Sequence, residues 1–158
     1  MTRNNPYAPP DAKLADPAAR PGSPIKAVTI GLAVDLGGTV VATVILALAY
    51  GIVLGALGAT AEEIEAVTTD MSTDSGFFYT LALAGLAFSM LGGYVCARIA
   101  RRSELKLGAV LAAISAGVGL AFGGDPSRLG MLISLTILGI AAVLAGANLG
   151  RAKNRRAG

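Results

Sequence analysis

Four long stretches of this chain are almost free of charge, and short polar patches separate them. They cover residues 26–58, 76–100, 105–122 and 127–150. Apolar runs of about 18 residues or more read as membrane-spanning helices. The pattern predicts an all-α protein: a polytopic four-helix transmembrane bundle over residues 26–150. A disordered, Pro-rich cytoplasmic tail over 1–25 precedes it, and a basic cytoplasmic tail over 151–158 follows. The tail contains Pro6, Pro9, Pro10, Pro17, Pro21 and Pro24 and no early apolar run with a cleavage pattern, so no secretory signal is expected. As a helix, residues 27–58 would measure ~48 Å against a hydrocarbon slab of ~30 Å. That span must tilt or project beyond the slab.

The connections carry their own signals. Thr60 with Glu63 three residues later is a capping box. Ile64, Val67 and Met71 then share a helix face, which predicts a short amphipathic helix across 60–71, lying on the membrane or across the bundle mouth. Phe77, Phe78 and Tyr79 open the second span as an interfacial aromatic group. Asp125 and Pro126 are placed as N-cap and first helical residue of the fourth span.

Charge fixes an expected orientation. Of the 13 Lys and Arg residues, 12 fall before span one, between spans two and three, or after span four; Arg128 is the exception. With four spans those 12 share one side. The positive-inside rule then puts both termini in the cytoplasm, and a three- or five-span count would break the segregation. The same clusters suit anionic lipid headgroups, so membrane lipids are expected partners and nucleic acid is not.

Only 15% of the residues are charged, which excludes an ordinary soluble enzyme, and 21 are glycine. Apolar burial cannot drive span against span in lipid, so close approach at small residues must do so. The expected packing residues are Gly51 with Gly55, Gly119 with Gly123, and Gly146 with Gly150, each spaced GxxxG. Gly37-Gly38 and Gly92-Gly93 lie in echoing LGGTV and LGGYV segments that would bring two helices together. The same residues could also serve a homo-oligomer or a larger membrane complex.

Asp35 is the one formal charge inside a span, and such a residue costs ~2.5–3.5 kcal/mol at the membrane centre. Its sequence position, ~12 Å along the helix from Ala27, places it near the cytoplasmic interface. A polar cluster of Asp35, Arg98 and Asn148 is expected there. Catalysis is not expected. The chain has no His, no Cys or His metal spacing and no phosphate loop, and Ser72, Thr73 and Ser75 have no base partner. No cofactor or metal is expected. Cys96, the single cysteine, is either a small buried residue or an acylation site.

The segment from Gly92 to Ala100, GGYVCARIA, followed by Gly108-Ala109, resembles a GGYVAAR-like signature of small four-span bacterial inner-membrane proteins of unknown function. Asp35-Leu36-Gly37-Gly38-Thr39 is similar to their first span, and Asn5-Pro6-Tyr7-Ala8-Pro9-Pro10 to proteobacterial openings. The pattern differs at Leu107, where related sequences carry His. The resemblance implies a bacterial inner-membrane location and a four-span architecture, with no known activity to carry over. The expected role is structural or accessory. The alternative is an oligomeric small transporter or channel subunit using Asp35.

Overall fold

A computed structural model describes residues 22–69, 76–122 and 129–156. All of its regular elements are helical: α1 (Pro24–Leu32), a π-helical turn (Ala33–Gly37), α2 (Gly38–Ala56), α3 (Ala61–Thr69), α4 (Gly76–Ala100), α5 (Glu104–Phe122) and α6 (Leu129–Arg156). Helices α1 and α2 form one continuous rod through the π turn. Four helices, Pro24–Ala56, Gly76–Ala100, Glu104–Phe122 and Leu129–Arg156, are long and apolar enough to cross a membrane. The chain is a multi-pass membrane protein built as an all-α four-helix bundle.

Local chemistry sets the ends. Ser23 accepts from the Lys26 amide and Pro24 occupies the first turn, where its missing N–H costs nothing. Helix α2 stops at Gly58, whose φ of +92° suits glycine. The Ala59 amide donates to the Leu54 carbonyl and the Gly58 amide to Gly55, the two bonds of a Schellman ending. The Thr60 amide donates to Glu63 Oε2 at 2.8 Å, and the Glu63 amide to Thr60 Oγ1 at 3.3 Å, which completes the expected capping box. The Thr60 amide foremost, and then the Thr60 hydroxyl donating to the same Oε2 at 3.2 Å, hold the Glu63 carboxyl below its usual range. Helix α3 sets Ile64 against Gly51 and Gly55 at the end of α2. Met71, the third residue expected on that face, lies outside the described residues, as do the proposed Asp125–Pro126 cap and tail residues 1–21.

Helix α4 is the hub. Its largest interface is with α6, and it also touches α1, the π turn, α2 and α5. The core is made of small side chains: Ala27, Cys96, Ala100, Leu111, Ala112 and Val143. Glycine permits the approach. A Cβ at Gly93 would drive into the Val143 carbonyl, and one at Gly146 into the Met90 carbonyl. On the adjoining face of α4, a Cβ at Gly92 would sit 2.7 Å from the Gly31 carbonyl oxygen. Thus α4 meets α6 and α1 backbone to backbone, the expected mode for spans in lipid.

Several packing expectations are corrected. Gly37 and Gly119 face open space, Gly38 meets the Phe88 ring, and Gly51 and Gly55 serve α3 at ordinary contact distances of 3.4 and 3.7 Å. Gly123 lies outside the described residues. The LGGTV and LGGYV segments do not pair with each other; Gly31, not Gly37-Gly38, meets Gly92. Phe77 and Phe78 are buried against other helices, with Phe77 stacked on Tyr50 at 5.1 Å, and only Tyr79 of the trio is exposed. Helix α6 continues to Arg156, so the basic tail is largely helical, with cations in its last turn where the helix dipole favours them.

Candidate functional site: an intramembrane carboxylate and its cavity

The site begins with the π turn. A π turn fits one extra residue into the helix and is common where a side chain must be aimed. Asp35 lies inside it, with Thr39 Oγ1 donating to the Asp35 carbonyl at 2.6 Å. The side chain turns into the bundle and is 2% exposed. Gly92 makes room for it: a Cβ there would lie 2.8 Å from the Asp35 Cβ.

Two other spans supply the carboxylate's partners. Ser89 Oγ of α4 donates to Oδ1 at 2.7 Å, and Ser115 Oγ of α5 donates to Oδ2 at 2.5 Å. Asp35 therefore ties together three of the four spans. Ser89 falls close to the midpoint of Gly76–Ala100, ~16 Å from Ala100 at 1.5 Å per residue. That is about half of a ~30 Å slab. Asp35 thus lies at mid-depth of the bundle.

The expected cluster of Asp35, Arg98 and Asn148 does not form. Arg98 is nine positions beyond Ser89 on α4, ~13 Å along the helix. Its Nη1 donates instead to Asn154 Oδ1 at 2.8 Å. Asn154 Nδ2 in turn donates to the Ala97 carbonyl at 2.9 Å and to Glu104 Oε1 at 3.4 Å. This second polar knot joins α4, α5 and α6 at the basic end. Asn148 is exposed on α6. Ser89, Ser115 and Asn154 are the polar partners that sequence reading missed. Serines in spans commonly bond their own backbone, so no periodicity separates these two from any other. Cys96 is fully buried beside Gly31, the environment of a packing residue.

A cavity of about 520 Å³ opens from Asp35, and residues of all four spans line it. Val143 and Asp35 stand at its inner end, with Phe122 and Leu132 toward the α5–α6 connection. Its wall is mainly apolar, with Leu135, Ile140 and Val40 among its members. Helix α2 leaves this side open. None of its residues is buried, and its main contacts are with α4, the π turn and α3.

No family model, no curated protein and no solved structure matches the chain.

Proposed function

We propose that this protein is an accessory structural component of a bacterial inner membrane, with both termini in the cytoplasm and no catalysis of its own. The observation that carries this reading is how its internal polar groups are used. Both oxygens of Asp35 bind hydroxyls of other spans, Asn154 bridges three helices, and no buried side-chain polar atom among the described residues lacks a partner. Such interhelical bonds act as glue in lipid, worth roughly 0.6–2 kcal/mol each. The orientation draws support from the bundle's basic end, where Gly22 abuts the Ile99 carbonyl and Arg98 meets Asn154. The first helix start, the α4–α5 turn and the last helix end, with their cationic residues, thus share one end. The resemblance of the GGYVCARIA segment to inner-membrane proteins agrees with this location.

Reporter fusions test the topology. A cytoplasmic reporter should be active at both ends of the chain and a periplasmic one at neither; opposite results at the two ends would overturn it.

One observation favours a second reading, a transporter or channel subunit. Asp35 is at mid-depth on a cavity shared by all four spans, and intramembrane acids on cavities often mark ion or proton paths. Flux measured in proteoliposomes separates the two readings. Flux present in the wild type and lost in Asp35→Asn supports transport; no flux in either supports the accessory role.

A further inference from the structure

The cavity has a chemical bias that its apolar character hides. Five of its lining residues carry polar side chains: Asp35, Thr39, Ser89, Ser115 and Thr136. Every hydroxyl hydrogen among them already has an acceptor. Ser89 and Ser115 donate to the Asp35 carboxylate, Thr39 to the Asp35 carbonyl and Thr136 to the Leu132 carbonyl. The side chains of the wall therefore offer acceptors and no free donor. A carboxylate has about four acceptor positions, and the two serines occupy two of them. Among the described residues, no Lys or Arg lines the cavity. The described basic side chains nearest in sequence to its walls, Lys106, Arg151, Lys26 and Arg98, belong to the basic end of the bundle.

From this we propose that the cavity is a binding site for a lipophilic monocation: one ammonium group on an apolar body. The ammonium donates to the remaining lone pairs of the Asp35 side chain. The apolar body lies against Leu135, Ile140 and Val40. The volume of about 520 Å³ suits a ligand of small-molecule size. Anions meet acceptors and no free donor among the described residues, and a neutral hydroxyl is a weaker donor to Asp35 than an ammonium. The site goes beyond the accessory role and does not depend on whether the bundle moves what it binds.

The test uses full-length protein in nanodiscs of zwitterionic lipid, with empty nanodiscs as the partition control. The probes are 2-(1-naphthyl)ethylamine, the matching naphthylethanol and naphthylacetate, followed by naphthalene fluorescence. The amine should bind saturably. The alcohol should bind at least about tenfold more weakly, the scale of one hydrogen bond to a charged group, and the acetate should not saturate. Asp35→Asn should bring amine affinity down to that of the alcohol. Gly139→Leu puts a side chain into the cavity from a position with nothing near its Cβ. It should weaken amine binding while the melting temperature holds. If Asp35→Asn does not fold, Gly139→Leu decides the matter. Non-saturable amine binding overturns the proposal, as does equal affinity for amine and alcohol. Wild-type amine affinity in folded Asp35→Asn or in Gly139→Leu also overturns it.

Discussion

The two halves of this bundle solve the same packing problem differently. Toward the basic end, α1, α4, α5 and α6 close on one another through Gly31, Gly92, Gly93, Gly108, Gly146 and Gly150, each of which has a neighbour within 3 Å of a built Cβ. Toward the α5–α6 connection, Gly117, Gly119, Gly130 and Gly139 have nothing within 4 Å. The residue type is the same, yet in one half it allows backbones to touch and in the other it leaves space. Glycine in a span is permission for contact, and only a partner at the right register uses it. Asp35 lies on the boundary: closed against Gly92 on one side and facing the cavity on the other.

Substituting glycines on the two sides of that boundary is the sharpest way to break the comparison. Gly146→Leu forces a side chain into the Met90 backbone, which cannot yield as a flexible side chain would. A loss of about 3 kcal/mol or more, at or beyond the upper range for overpacking, is expected. Size-exclusion chromatography and thermal unfolding in detergent would read it as loss of monodisperse protein. Gly119→Leu, at an open position of the other half, should leave both unchanged. Equal damage from the two substitutions would erase the distinction between the halves.

A smaller effect is expected at the boundary itself. Ser89→Ala with Ser115→Ala removes both hydroxyl donors from a buried carboxylate and should cost about 2–4 kcal/mol, as hydrogen bonds to charged groups do. The same thermal assay should show the double variant losing more than either single one. At the basic end, Asn154→Ala opens a knot that is only half-buried, and about 1–2 kcal/mol is expected from detergent unfolding. Asn148→Ala, on the exposed face of α6, should be silent.

The smallest effect belongs to α3, outside the spans. Thr60→Ala removes the cap hydroxyl and should cost about 1 kcal/mol of local helix stability, read as faster amide exchange over Ala61–Thr69. The same helix should respond to acid. The folded pKa of Glu63 is depressed below its unfolded value. Its contribution is therefore complete above the unfolded pKa and is lost as pH falls through the lowered one. Exchange in α3 should rise on that acid limb in the wild type and much less in Glu63→Gln.

Much of this architecture was legible in the chain, because the signals concerned are local. Length and hydropathy define the spans, since a helix crossing lipid must satisfy its own backbone. The Thr60–Glu63 box depends on residues within one turn, so it can be read without a fold, whereas Pro24, expected in the tail, opens α1 behind the Ser23 cap. The candidate site was legible only in part. Asp35 stands out as the lone intramembrane charge, but its partners were misassigned to Arg98 and Asn148.

What the sequence alone determined is therefore the number of rods, their lengths, the segregation of their cationic ends and the presence of one acid among them. Tertiary structure decided which face of each rod meets which neighbour. Each residue along a helix turns the side chain by ~100°, and the π turn at Ala33–Gly37 adds a shift that hydropathy does not register. Rotation and register between rods place Ser89 and Ser115 on Asp35, set Asn154 on Arg98, and leave some glycines in contact and others beside a cavity.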